Sequence, residues 1–337
     1  MTQTVETRRR IPKWLIPAVG YTISILSLIW VFTKFPYRQL GDDVRTLTWG
    51  WVVLAIVFDI FANVCDGWRL GILLKPMERI PLWQCTQAVY VGLFASKVLP
   101  AKAGEVLRCY LLSYWGDIPL TLTLTAGVMV RLMDGLCMVV LYYLTVVGVH
   151  NVPRWLNSGM NVVALCVVGL SALFLYVLFR RAHAHTWASG NRWASKFVHL
   201  LDELHKLGNR ENLLKALGVS FLYFFLQTLF FWGLFKAYHF DYSVKDSAFV
   251  LIVIHLGTMI PNAPGNLGSL QLFCKSALQI LGAEANSAAS FSTIMFVFLT
   301  LPQLVGGAIA VALTGINIQQ LHQHARQAHA RRHEPRG

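Results

Sequence analysis

Charged side chains set inside long apolar stretches are the first residues of this chain that point to chemistry. Asp59, Asp66 and Arg69 share one apolar segment, Lys97, Lys102, Glu105 and Arg108 surround a second, and Arg131 stands three residues before Asp134 in a third. Ionisable groups inside a membrane segment are costly and by default mark a functional site. Arg131 and Asp134 fall on one helical face and can pair, either to hold two helices together or to act on a substrate. The second segment also contains Leu99-Pro100-Ala101-Lys102-Ala103-Gly104-Glu105, and its proline and glycine, four residues apart, recur 161 residues later in Ile260-Pro261-Asn262-Ala263-Pro264-Gly265-Asn266. A helix broken in hydrocarbon persists only where it is buried in protein or lines a polar cavity. A pair of breaks in corresponding halves points to a transporter's binding site.

After Gly104 a helical pattern resumes over 105–112, and after Gly265 it resumes over 267–281. Each glycine is therefore expected to precede a helix N-terminus, whose free N–H groups and partial positive charge suit an anion. Lys102, Arg108 and Arg131 add to that potential, while Glu105 and Asp134 are placed to tune or titrate the site. The second copy is neutral where the first is charged: Asn266 aligns with Glu105 and Ser269 with Arg108. Pro100, Pro261, Asn262, Pro264 and Gly265 complete the primary candidates, with Arg69, His255 and Gln271 as secondary ones. His255 reads either as a proton shuttle or as a packing residue.

The elements that must position these groups are membrane helices. Of 337 residues, 55% are hydrophobic and 13% charged, with a mean hydropathy of +0.53, which excludes an ordinary soluble globule. Apolar runs of about 20 residues mark transmembrane helices, and here they fall at 14–33, 50–73, 120–148, 160–179, 213–236 and 288–314. The broken motifs occupy two further apolar regions, 82–115 and 247–281. The net charge of +13 collects in Arg8 to Lys13, Arg180 to Lys215 and the tail 318–337. That is the positive-inside pattern, which puts both termini in the cytoplasm and argues against nucleic acid as a partner.

The fold class expected is all-α and polytopic, a single membrane domain over 1–337. Six full spans would carry two re-entrant hairpins entering from opposite faces, an inverted repeat with halves near 40–150 and 205–314. Eight spans, with each hairpin crossing as two short helices, would keep the same termini. The stretch 180–212 is expected to be a basic interfacial linker.

Other chemistries find little support. The six cysteines show no Cys-x-x-Cys spacing and read as small buried apolar residues. The segment after Arg8 to Lys13 is too long for a signal peptide and is expected to remain as an anchor. The tail histidines look like part of a solvated helix end. No Walker motif, Ser-His-Asp order, His-Glu-x-x-His or dinucleotide fingerprint occurs, so neither cofactor nor metal is expected, and enzymatic activity is not.

Taken together, Trp68-Arg69-Leu70, Leu99-Pro100-x-x-x-Gly104-Glu105-x-x-Arg108, Arg131-x-x-Asp134 and Pro261-x-x-Pro264-Gly265-x-Leu267-Gly268 resemble the lysylphosphatidylglycerol synthase transmembrane region family, the flippase-like UPF0104 proteins. The resemblance extends over residues 10–315. It implies a multi-pass protein of the bacterial inner membrane that moves, or helps to move, a lipid or lipid-linked headgroup between leaflets. The partners expected are that lipid, anionic headgroups at the basic loops, where charge runs beside membrane helices meet them, and an envelope-biosynthesis enzyme. The chain departs from the family pattern at Val130, where an acidic residue is usual, at Asn266, where a second glycine is common, and at Gln271, where a glutamate stands. No aminoacyl-transferase domain follows the last span, so lysyl transfer is not expected. The rival functions are a membrane-embedded transferase or hydrolase using Glu105 with His255, and a non-transporting partner of an envelope glycosyltransferase.

Overall fold

In the computed structural model, residues 45–98, 103–147, 153–179, 210–259, 266 and 268–314 are described. Among them the secondary structure is helical: α1 (Trp49–Leu74), α2 (Leu82–Val98), α3 (Ala103–Trp115), α4 (Leu120–Val146), α5 (Arg154–Phe179), α6 (Arg210–Ala237), α7 (Val244–Met259), α8 (Ser269–Ile280) and α9 (Ala285–Thr314). Five of these, α1, α4, α5, α6 and α9, are long and apolar enough to cross a bilayer. Their outward faces carry Phe61, Leu144, Leu165, Val168, Leu301 and Ile309, all exposed. So continuous an apolar surface suits lipid and would aggregate in water. The expected span 14–33 lies outside the described residues, as do 180–209 and the tail. Residues 210–212, assigned to the linker from sequence, form instead the first turn of α6, with Asn212 buried.

The order long, short, short, long occurs twice, as α1–α4 and as α6–α9, with α5 between. The short helices have 17, 13, 16 and 12 residues. At about 1.5 Å per residue the longest reaches roughly 26 Å, less than the roughly 30 Å hydrocarbon core. In each half the two short helices pack on one another: α2 on α3, and α7 on α8. Packing between the halves follows the same exchange, since α2 lies on α9 where α7 lies on α4.

Among the described residues the equivalent helices α1 and α6 make the most extensive packing and run antiparallel. Thr48 N–H donates to the Ala237 carbonyl at 3.1 Å at one end, Gly233 faces Ala55, Gln227 reaches Asp59, and Arg69 reaches Ser220 at the other. Two corresponding helices that meet head to tail place the second half upside down relative to the first. The α2–α9 contact is antiparallel as well, from Gln87 with Ala310 to Lys97 with Thr300.

Local sequence explains where the elements stop. Ser243 and Asp246 form a reciprocal cap on α7, the Ser243 N–H donating to Asp246 Oδ2 at 2.8 Å and the Asp246 N–H to Ser243 Oγ at 3.3 Å. Gly268 opens α8 at a φ of 81°, a left-handed conformation that a side chain would strain. Apolar side chains divide into two main cores. Leu70, Leu73, Val89, Leu111 and Met129 fill the first half, and Phe224, Phe231, Phe249, Cys274 and Phe291 fill the second.

Candidate functional site

Polar residues on α1, α2, α3, α4, α6, α7 and α9 meet around a cavity of about 260 Å³ where the halves join. A buried ladder of ion pairs forms one side of it. Arg108 Nη1 donates to Asp66 Oδ2 at 3.1 Å, and Arg69 Nε donates to Asp66 Oδ1 at 2.8 Å. Arg69 also grips Asp134 through both terminal nitrogens, the Nη2 contact measuring 3.3 Å. Arg131 in turn bonds Asp134 at 3.2 Å and clasps both oxygens of Glu105, at 2.7 and 3.2 Å. Three arginines thus alternate with three carboxylates across α1, α3 and α4.

Burial grades along this ladder. Arg69 is 1% exposed, with its guanidinium 4.7 Å from the Tyr223 ring centroid and a bond to Ser220 Oγ at 3.3 Å. The Arg131 side chain at the other end is 49% exposed. Arg69 is therefore the structural keystone: its removal would leave two carboxylates without their main counter-charge. Arg131 and Glu105 hold each other in a wetter setting, where an ion pair contributes little to stability and is free to exchange.

The opposite wall is quieter. Lys97 Nζ donates to Thr300 Oγ1 at 3.4 Å and has no carboxylate within 4 Å among the described residues. Asn63, Gln227 and Gln303 line the cavity beside it, with His255, Thr258 and Asn266 from the second half. His255 Nδ1 lies 3.0 Å from the Leu251 carbonyl. In all, the lining has four basic and two acidic side chains, Arg69, Arg108, Arg131 and Lys97 against Asp66 and Glu105. Arg108 adds a second sign of an absent partner, because its Nε is buried without a hydrogen bond among the described residues.

The candidates named from sequence separate into three groups. Gly104, Glu105, Arg108, Arg131, Asn266, Arg69 and His255 all line the cavity. Asp134 is set back behind Arg69 and Arg131. Gln271 is a capping residue, its Oε1 accepting from the Gly268 N–H at 3.2 Å. Pro100, Lys102, Pro261, Asn262, Pro264 and Gly265 lie outside the described residues.

Two local expectations need correction. Gly104 does not precede α3 but sits in its first turn, where it lets the backbones of α2 and α3 touch. A Cβ on Gly92 would stand 2.8 Å from the Gly104 carbonyl oxygen, and one on Gly104 would strike Gly92 and Ser96. The second helix starts at Ser269 rather than 267, because Gly268 and Gln271 provide the cap. The cationic candidates are also not free point charges, since Arg108 and Arg131 come with built-in carboxylates. Sequence reasoning marked Asp59, Asp66 and Lys97 as intramembrane charges but left them out of the site. It missed Ser220, Tyr223, Gln227 and Gln303 altogether, and their only signal was polarity on an otherwise apolar helix.

Comparison with known proteins agrees with this architecture. The model of the lysylphosphatidylglycerol synthase TM region matches residues 18–307. A UPF0104 membrane protein of Methanothermobacter thermautotrophicus is 25% identical over 277 residues, covering 75% of this chain and 82% of that protein. No solved structure matches.

Proposed function

From a chain that belongs to the lysylphosphatidylglycerol synthase transmembrane-region family, we propose a flippase that carries the anionic headgroup of a lipid or lipid-linked substrate across the bacterial inner membrane. The observation that carries this reading is the cavity between two inverted halves, lined by four basic and two acidic side chains. Cationic donors that can exchange a carboxylate for a phosphate fix it through charge-assisted hydrogen bonds, which a low dielectric strengthens. Lys97, held among the described residues only by a 3.4 Å bond to Thr300, and the Nε of Arg108, which has no partner among them, offer donors, and Arg131 offers one through exchange with Glu105. At about 260 Å³ the space fits a headgroup rather than the acyl chains, which would trail into lipid.

Movement follows from the antiparallel seam. Rocking of α6–α9 against α1–α4 about the α1–α6 pair would open the cavity to one face and then to the other. Both termini lie in the cytoplasm in this reading, and the basic loops rest on anionic headgroups. No bond of the lipid is made or broken. The enzymatic alternative needs Glu105 as acid or base beside His255, and Glu105 is instead paired through both oxygens with Arg131, while the His255 Nδ1 lies against the Leu251 carbonyl.

The test is reconstitution into liposomes with phosphatidylglycerol labelled on one acyl chain. The protein should equalise the label between leaflets without altering its mass, and Lys97→Gln should slow the exchange at least tenfold. A new lipid species would establish an enzyme instead. Unchanged leaflet distribution, with an envelope enzyme co-purifying in equal amount, would establish a non-transporting partner.

A further inference from the structure

Asp59 is the carboxylate that the arginine ladder leaves out. It is 1% exposed, and its oxygens accept from neutral amides, Asn63 Nδ2 at 3.0 Å and Gln227 Nε2 at 3.2 Å, with Gln303 of α9 alongside. No basic side chain stands within 4 Å of it among the described residues. The cation that acts on it is Lys97 of α2, itself without a carboxylate within that distance. Lys97, Asn63, Gln227 and Gln303 line the cavity, and Asp59 stands directly behind them.

The surroundings of Asp59 hold few other groups that ionise. Helix α2 presents Lys97 and the Tyr90 hydroxyl, whereas α6 and α9 present Gln227 and Gln303. On α1 itself Asp66 and Arg69 begin two turns further on, and with Arg131 and Asp134 of α4 they are committed to the ladder. Asp59 and Lys97 are thus a loosely held pair of opposite charges, the carboxylate buried and the half-buried ammonium facing the cavity.

We propose that Asp59 and Lys97 couple headgroup transport to a proton. The empty pair is neutral. An anionic headgroup bound at Lys97 takes over the ammonium that balances Asp59 and leaves the site with one uncompensated negative charge in a low-dielectric interior. Asp59 removes that charge by taking a proton from water on the loading side, through the wetted cavity wall. When the headgroup leaves on the other side, Lys97 returns to Asp59 and the proton is released there. One proton therefore accompanies each headgroup, with no redox partner and no covalent step. Linkage is reciprocal, so proton uptake on binding requires anion affinity to fall as pH rises.

The inference rests on the headgroup reading, and one experiment separates the two. Dihexanoyl phosphatidylglycerol, whose phosphate does not titrate between pH 5 and 9, is bound to the purified full chain in detergent. Calorimetry in buffers of different ionisation enthalpy then counts protons. The wild-type protein should take up about one proton per lipid over part of this range, with Kd rising up to tenfold per pH unit there. Between pH 5 and 7 Asp59→Asn should bind at a pH-independent Kd and exchange no proton. Should Asp59→Asn fail to purify as a single species, Lys97→Gln serves, with weaker binding and no proton uptake expected. Wild-type binding without proton exchange, or either variant keeping the wild-type proton count, overturns the coupling alone. Absence of binding at every pH overturns the headgroup reading and the coupling together.

Discussion

The hairpins α2–α3 and α7–α8 occupy corresponding places in the two halves, yet they bring opposite chemistry to the cavity. The first contributes Glu105 and Arg108, fixed by Arg131 on α4 and Asp66 on α1, and Lys97, which bonds Thr300 on α9. The second contributes Thr258, Asn266 and a histidine, tied to its own backbone or lining the wall as neutral donors. The two halves share an order of elements and differ in the side chains they bring to the cavity. In the transport cycle proposed above, one half carries the charge that would recognise the headgroup, and the other supplies a surface against which that charge would move without being trapped. Two charged hairpins facing each other would hold a phosphate too tightly to release it.

That contrast breaks first on topology. If the halves are inverted, cysteines replacing the exposed Glu78, before α2, and Asp241, before α7, should react with an impermeant reagent from opposite faces of the membrane. In a background without native cysteines the difference should be all or none. Labelling of both from one face would remove the inverted arrangement.

The next largest effect is expected at Arg69, which joins Asp66 to Asp134. Arg69→Met should cost about 3–5 kcal/mol, since breaking a buried pair leaves uncompensated charge. Thermal unfolding in detergent would register it, and a loss below about 1 kcal/mol would show that the ladder reorganises readily. At Gly104, substitution by Ala should cost about 1–3 kcal/mol because backbones of α2 and α3 must separate. In the second half Asn266 sits at a φ of 55°, a left-handed conformation that asparagine tolerates better than alanine, so Asn266→Ala should cost about 1–2 kcal/mol. The smallest effect of interest is Gln271→Ala. Loss of this cap should cost about 1 kcal/mol, with lipid exchange in liposomes close to wild type. A loss of transport equal to that of Lys97→Gln would instead bring Gln271 into the site.

How much of this could be read from the sequence follows the range of the interactions. The Arg131–Asp134 pair is three residues apart and helical periodicity alone finds it. Long spans were legible too, because hydrophobic runs have to match the bilayer: 50–73 became Trp49–Leu74 and 120–148 became Leu120–Val146. Arg69 with Asp134, Arg108 with Asp66 and Asp59 with Gln227 join different helices, and no spacing rule reaches across them. The helix starts near Gly104 and Gly265 were displaced by a few residues because backbone packing and capping set them, and hydropathy is blind to both. Gln227 and Gln303 were hidden by neutrality, for an amide on an apolar helix looks like a tolerated residue until the carboxylate behind it is in view.

The seam between α1 and α6 has a consequence for either half considered alone. Because corresponding helices meet head to tail, the face that α1 offers to α6 is the face that a second, oppositely inserted α1 could also meet. A single half, translated by itself and inserted in both orientations, would find its missing surface in a copy of itself. The fused chain then differs from such a dual-topology homodimer in one respect: a covalent link sets the ratio of the two orientations to one and frees each half to change its side chains independently. Residue pairs on the seam, such as Asp59 with Gln227 and Arg69 with Ser220, join a charged side chain of one half to a neutral one of the other, an asymmetry that a dimer of identical halves would not have.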